Sequence, residues 1–174
     1  MNKNFLPSAL LALSMLSAHS LADQVQINIT AKVIAKTCAI SSKKSDFLVS
    51  LATGNLRDAA VGVPFSESSF TINLEDCPLN IKTAHVTFSA ESDTDMPNLL
   101  KIANDADSDA TGVAIGLYDR NGKNIDIRSN ATDFLINHAE AMNSLYFSAA
   151  YLKTSDKALP GKVKTFAFFE IAYD

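Results

Sequence analysis

The residues of this 174-residue chain most capable of chemistry are its two cysteines, Cys38 and Cys77. In an oxidising compartment an even pair of cysteines forms a disulfide, and closing the loop between these two would stabilise a fold by about 4 kcal/mol. A zinc site is a weaker interpretation, because zinc takes four ligands and usually closely spaced cysteines. A nucleophilic cysteine would need a partner histidine, and nothing in the sequence marks one. We therefore expect a disulfide, and no metal or cofactor.

The other ionisable side chains form no catalytic pattern. His85 falls on the polar face of a predicted strand, where we expect it to be solvated. The aspartates between Asp93 and Asp109 alternate with Ser, Ala and Asn and lack the spacing of a calcium loop. There is no glycine-rich phosphate loop and no serine in a nucleophile elbow. The sequence therefore predicts a protein that is not an enzyme.

The charge of the chain argues against two classes of partner. The formal net charge is −4, and the lysines are dispersed rather than clustered. Nucleic acids and anionic membrane surfaces attract basic patches. We expect no binding to nucleic acid.

Residues 1–22 are typical of an export signal. Lys3 gives a basic start, residues 5–16 are mostly apolar, and Ser20 and Ala22 are small residues at the positions that a signal peptidase reads. The apolar core is shorter than the roughly 20 residues of a membrane span. We predict cleavage between Ala22 and Asp23, export into an oxidising compartment, and no insertion in the membrane.

Residues 24–33 alternate between polar and apolar side chains, which predicts a β-strand. At about 3.3 Å per residue the strand would be roughly 33 Å long. Such a strand needs a sheet to lie on, either its own or that of a second molecule, and periodicity leaves both open. Its apolar face consists of Val25, Ile27, Ile29, Ala31 and Val33.

The rest of the chain predicts an antiparallel β-sandwich, because short strands alternate with turns and no long amphipathic helix is present. Residues 91–110 are rich in Asp, Asn and Ser and predict a surface connection with a helical turn near residues 98–102, whereas residues 129–143 show no clear period. The last strand is apolar on both faces, which predicts a central position with a neighbour on each side, or an open groove if the fold supplies one neighbour. The predicted strands cover residues 47–51, 70–75, 85–90, 112–118, 145–152 and 163–173, with a short return at 125–127 after an Asn-Gly turn at 119–122.

Several features occur together in the order typical of one family. They are the signal peptide, the alternating N-terminal segment, the cysteine that follows it, and the second cysteine in the run 74–78, Leu-Glu-Asp-Cys-Pro. The stretch 112–122 resembles a Gly-x-x-Ile-x-Leu strand followed by its turn. The most specific features are Gly161, fourteen residues from the end, and the penultimate Tyr173. With these motifs the chain resembles, over essentially its full length, the pilin subunits of the chaperone–usher pathway, close to the type 1 fimbrial minor subunits.

This resemblance implies an all-β, incomplete immunoglobulin-like pilin sandwich that lacks its seventh strand. It implies a signal peptide at 1–22, a donor-strand extension at 23–35 and a pilin domain at 36–174. In this family a periplasmic chaperone lends a strand to the groove, and the extension of a neighbouring pilin subunit replaces it at an outer-membrane usher, so that the subunit reaches the cell surface in a fimbria. The groove residues implied for this chain are Gly161, Phe166, Phe168, Phe169, Ile171 and Tyr173.

Two further expectations follow from the same comparison. The family usually has Gly where this chain has Ala31, and the extra methyl group must fit a shallow pocket in the partner. The resemblance favours a minor adaptor over a major shaft subunit. The alternative is a self-complemented immunoglobulin-like domain that folds its N-terminal strand onto its own sheet and recognises a glycan or receptor.

Overall fold

The computed structural model describes residues 36–174, so the predicted signal peptide and donor-strand extension lie outside the described residues. The described part of the chain contains eight β-strands and no helix. The strands are β1 (Ala39–Ile40), β2 (Pro64–Glu75), β3 (Thr83–Ser89), β4 (Val113–Asp119), β5 (Asn124–Ile125), β6 (Thr132–Leu135), β7 (Met142–Lys153) and β8 (Phe168–Tyr173).

The strands form two antiparallel sheets. The larger has the order β1-β2-β7-β4-β5 and the smaller has the order β6-β3-β8. The predicted all-β sandwich is therefore confirmed. Between residues 36 and 174 the structure holds no helix that is long and apolar enough to cross a membrane.

The core lies where alternating apolar side chains of the two sheets meet. β3 shows the pattern clearly, because Ala84, Val86 and Phe88 are buried while the residues between them are more exposed. In the other sheet Ile72 and Leu145 are at most 2% exposed. The period of two in these strands places one face of each sheet on the core, as expected for a sandwich.

The predictions for β2, β3, β4 and β7 are confirmed, with ends that differ by a few residues from those expected. β2 begins earlier, at Pro64, and a bulge between Phe65 and Ser68 shifts its register with β7. The Asn-Gly turn is also confirmed: Gly122 has a φ of 76°, and the Asp119 carboxylate accepts hydrogen bonds from the Asn121 and Lys123 N–H groups.

The prediction for residues 91–110 is wrong in two respects. The segment has no helical turn, and it is not confined to the surface, because Leu99, Leu100 and Ile102 are 1%, 2% and 6% exposed. Leu100 exchanges backbone hydrogen bonds with Ile115 of β4 at 2.8 and 3.1 Å. Leu99 packs with buried residues of β4 and β7 in a small second cluster. The segment therefore covers the outer face of the larger sheet.

Two predicted strands are not regular strands in the structure. Residues 47–51 run beside β2 with isolated contacts, such as the Asp46 N–H donating to the Thr71 carbonyl at 2.8 Å. Of the predicted strand 163–173 only β8 forms. The residues before it are bonded to an irregular segment instead, with the Ala103 N–H donating to the Lys164 carbonyl at 2.8 Å. An irregular partner cannot supply the evenly alternating ladder of a sheet.

Candidate functional site

The candidate site is the free edge of β8. Within residues 36–174, β8 pairs with β3 only, so the expected neighbour on each side is absent there and the strand is an edge. Its side chains alternate between exposed and half-buried along its whole length. An apolar edge strand is an unusual feature, because such edges invite pairing with another chain.

The backbone groups at this edge can be assigned from the register. The Asp174 N–H donates to the Thr83 carbonyl of β3 at 3.1 Å. In an antiparallel pair, successive residues direct their N–H and C=O groups to opposite sides. Phe169, Ile171 and Tyr173 therefore present their backbone groups to the free edge. The edge offers a further strand a ready hydrogen-bonding template.

The same three residues turn their side chains toward the core. Phe169, Ile171 and Tyr173 are half-buried and pack against the buried cluster of the sandwich. The Phe169 ring lies 6.3 Å from that of Phe88. Burial raises the pKa of the Tyr173 hydroxyl. Apolar contact and free backbone groups thus occur at the same residues.

The opposite wall of the site is the segment 46–51 beside β2. The Phe47 ring stacks on Phe169 with 6.2 Å between ring centroids, although Phe47 is 55% exposed. Val49 and Leu51 are half-buried against the same core. Segment 46–51 and the edge strand β8 therefore flank one apolar surface of the core, which we call the groove, and they are in aromatic contact at Phe47 and Phe169.

Phe166 and Phe168 lie on the opposite, outward face. They are 71% and 65% exposed, and their rings pack edge to face at 5.6 Å. Among the six residues expected to line a groove, the structure thus brings Phe169, Ile171 and Tyr173 together at the edge and directs these two away from it.

Gly161 makes a close backbone approach within this chain. A Cβ at this position would overlap the backbone N of Ala110 and the backbone carbon of Asp109. The Ala110 N–H donates to the carbonyl of the next residue, Lys162, at 2.9 Å. Gly161 therefore allows the connection before β8 to pack directly against the backbone of residues 109–110.

The predicted disulfide is confirmed. Cys38 and Cys77 are bonded, with 4.1 Å between their Cα atoms, and the bond joins the residue before β1 to the second residue after β2. Cys38 is 5% exposed. The bond therefore fixes the chain at the point where the predicted extension would enter the sandwich.

A polar cavity of about 450 Å³ beside the β4–β5 turn is a weaker candidate. Its polar groups are engaged by the fold. Arg128 holds the pKa of the Asp126 carboxyl at about 2 through a hydrogen bond, and the Asn130 amide bonds the backbone of Phe88 at 2.8 Å in both directions. The Asp119 carboxylate is bonded to the backbone of its own turn. Asp119, Asp126 and Asn130 therefore have structural roles in the lining of this cavity.

Comparison with known proteins identifies the family to which the chain belongs. The family model described as "Fimbrial protein" matches residues 27–174. The chain belongs to the fimbrial protein family. It is a structural subunit of a surface fimbria and not an enzyme, as its curated relatives are fimbrial subunits.

Three relatives illustrate the similarity. The "Fimbrial subunit type 1" of Salmonella typhimurium is 32% identical over 155 residues, which cover 85% of this chain and 82% of that protein. A solved structure of an antigen and type I fimbria protein of Burkholderia pseudomallei has a TM-score of 0.59 and 27% identity, covering 79% of this chain and 90% of that one. The P pilus rod subunit PapA has a TM-score of 0.62 at 19% identity, covering 80% and 100%. The last of these shows the shared pilin fold alone.

Sequence reasoning missed two parts of this region. The wall at 46–51 was expected as a strand but not as part of a groove, although the apolar side chains at Phe47, Val49 and Leu51 have the period of one face. The second is the pair of partners of His85. This residue lies on the polar face as expected and is 28% exposed, but its two ring nitrogens each contact a carboxylate, as described below. No signal within β3 itself could have revealed those partners, because they lie 48 and 89 residues away.

Proposed function

We propose that this fimbrial subunit assembles by donor-strand exchange, accepting the N-terminal extension of a neighbouring subunit along the free edge of β8. The observation that carries the proposal is the coincidence, at Phe169, Ile171 and Tyr173, of core-facing side chains with backbone groups at a free edge. A strand added there would satisfy both at once.

The chain carries a segment of the matching pattern. Residues 24–33 alternate with a period of two, and they lie outside the described residues. In the proposal, residues 1–22 are removed, residues 23–35 act as the donor, and residues 36–174 form the acceptor domain. Val25, Ile27, Ile29, Ala31 and Val33 would face the neighbour's core, while Gln and Asn side chains would face outward.

The energetics favour an obligatory partner. Burying the four branched side chains of the donor, at about 1.5–3 kcal/mol each, gives roughly 6–12 kcal/mol before ordering costs. A domain has a total stability of only about 5–15 kcal/mol. A subunit with an unfilled groove would therefore be barely stable, which is the reason to propose a periplasmic chaperone that protects it and an outer-membrane usher at which the strands are exchanged.

The test compares the oxidised mature chain, from which residues 1–22 are removed, without residues 23–35, alone and with a peptide of residues 23–35. We expect a large rise in the midpoint of thermal unfolding when the peptide is present. The control peptide replaces Ile27 and Ile29 with Asp, which keeps the length and interrupts the apolar face in every register. A cooperative, stable fold that ignores both peptides would remove donor-strand exchange and favour a self-complemented binding domain.

We further propose a minor adaptor position in the fimbria, on the sequence resemblance to minor subunits. The measurement is the copy number of this chain relative to the other subunits in purified fimbriae. A few copies per fimbria support the adaptor, and a large excess over every other subunit would assign the chain to the shaft.

A further inference from the structure

His85 joins all three strands of the smaller sheet. It lies on the central strand β3, where it is opposite Asp133 of β6 on one side and Ala172 of β8 on the other. Its Nδ1 lies 2.7 Å from the Asp133 carboxylate and its Nε2 lies 2.7 Å from the carboxylate of Asp174, which follows β8. One side chain thus connects both neighbours of β3.

Both contacts can be hydrogen bonds only in one protonation state. A carboxylate accepts hydrogen bonds and has none to donate, whereas a neutral imidazole carries a single N–H. The imidazolium form has two N–H groups and satisfies both carboxylates. When it loses a proton, one nitrogen lone pair faces a carboxylate oxygen at 2.7 Å, and that contact becomes repulsive.

The charges around His85 favour the imidazolium. The sequences of β3, β6 and β8 contain no lysine or arginine, and their other charged groups are Asp133 and Glu170. Asp174 adjoins β8, and Lys82 adjoins β3. Glu170 shares the outward face of β8 with Ala172, whereas Tyr173 turns toward the core. Hydrogen bonds to Asp133 and then Asp174, opposed by partial burial, raise the pKa of His85 above 6.5.

The contact acts on the candidate acceptor edge. Asp174 directly follows β8, and its backbone continues the pairing beyond the strand, because its N–H donates to the Thr83 carbonyl at 3.1 Å and its carbonyl accepts from the Lys82 N–H at 2.8 Å. Any loosening of Asp174 therefore frees the end of the strand that carries Ile171 and Tyr173. The side chain of Asp174 is 77% exposed, so that little else restrains it.

We propose that His85 is a pH-dependent clasp that, as an imidazolium, fixes the end of β8 to β3 and β6, and that releases it when deprotonated. Because the folded form binds the proton more tightly than the unfolded form, the stabilisation is fully present below about pH 6.5 and is lost as the pH rises through the folded-state pKa. Regulation of strand acceptance by the clasp rests on the proposed function. The pH-dependent contact of His85 with the two aspartates does not depend on that function.

The primary experiment uses the exported, oxidised chain. Nitrogen-15 NMR of the imidazole rings follows the titration of His85, and amide hydrogen exchange gives protection factors for Ala172 and Asp174, whose N–H groups face β3, at pH 6 and pH 8.5. We expect a folded-state pKa above 6.5 and both ring nitrogens protonated at pH 6. Protection at the end of β8 should fall by roughly two- to fivefold at pH 8.5, the range that an exposed charge pair supports.

The matched variants are His85→Gln, Asp174→Asn and His138→Gln. His138 is the other histidine of the described residues, and its Nε2 contacts the Ile81 carbonyl at 2.8 Å rather than a carboxylate. We expect the pH dependence of protection to disappear in the first two variants and to persist in the third. A pKa at or below 6.5 in the wild-type chain, or the same pH dependence in His85→Gln, overturns the proposal without requiring that any variant fold well.

A second arm separates this inference from donor-strand exchange. The affinity of the donor peptide for the chain without residues 23–35 is measured at pH 6 and pH 8.5. Tighter binding at pH 6 that disappears in His85→Gln supports regulation of strand acceptance, and equal binding at both values excludes it. Absence of peptide binding at either pH removes the proposed function, while the exchange data still decide the clasp.

Discussion

β7 and β8 are both apolar strands, yet of the two only β7 has a neighbouring strand on each side in the described structure. β7 lies between β2 and β4, and Ala149, Ala150 and Leu152 on its two faces are all at most 5% exposed. β8 pairs with β3 alone, and each of its residues is exposed or half-buried. The difference shows that an apolar pattern specifies that a strand must be covered, but not which part of which chain covers it.

The largest expected effect is in β7. Phe147 packs against Phe70, Phe88 and Phe134 with ring centroids 5.5, 4.9 and 5.4 Å away. Phe147→Ala should lower the free energy of unfolding by about 3–5 kcal/mol, because it leaves a cavity among these rings. Urea unfolding of the oxidised chain measures it. The control is Tyr146→Ala at the next, 56% exposed position, and an equal loss there would contradict a core centred on Phe147.

The disulfide comes next. Replacing Cys38 and Cys77 together with Ser should cost about 2–5 kcal/mol of stability, since the loop between them is no longer closed in the unfolded chain. Thermal unfolding with and without reductant measures the loss. Reduction should destabilise the wild-type chain by a similar amount and leave the double variant unchanged, and a reductant effect on the variant would argue against this cause.

Gly161 tests how the chain reaches β8. Gly161→Ala should destabilise by about 1–3 kcal/mol, because the new methyl group overlaps the backbone at residues 109–110. Gly122→Ala should cost about 1–2 kcal/mol for a different reason, the positive φ of 76°. Asn tolerates that conformation, so Asn should be milder than Ala at Gly122 and no milder at Gly161. Equal tolerance of Asn at both positions would exclude the close approach.

A substitution of Phe169 tests whether the free edge of β8 binds the donor strand. Phe169→Ala should cost about 1 kcal/mol in the chain without residues 23–35, since the ring is only half-buried. The loss should grow toward about 3 kcal/mol when the donor peptide covers the groove, as measured by thermal unfolding. Phe168→Ala, the outward neighbour, should change stability by at most about 0.5 kcal/mol in both states. A peptide-independent effect of Phe169 would mean that the groove is not the binding site.

The smallest effect belongs to the polar cavity beside the β4–β5 turn. Arg128→Ala should return the pKa of the Asp126 carboxyl from about 2 toward its usual value near 3.9. Because the folded-state pKa is depressed, the contribution of this pair is present above about pH 3.9 and is lost as the pH falls toward 2. Carboxyl-carbon NMR measures the titration. An unchanged pKa in Arg128→Ala would show that another group depresses it.

The strands that sequence predicted well are those with a regular period. β3 and β7 alternate along most of their length, and this pattern alone places Val86 and Phe147 in the core. Leu99 and Leu100 were missed because they are embedded in a polar segment without a period. Leu99 is buried on the outer face of β4 and β7, whereas Leu100 pairs with Ile115 and joins the main core. The paired carboxylates of His85 were beyond sequence reasoning, since they depend on the register of three strands.

The position of the disulfide has a mechanical consequence. A pull on the chain ahead of Cys38 would otherwise be resisted only by β1, which has two residues paired with β2. The covalent bond to Cys77 carries that force past β1 to the end of β2, which is paired along most of its length with β7. In the proposed donor-strand assembly, a load on the extension would therefore enter the sandwich along the β2–β7 pair, and would not peel β1 from β2.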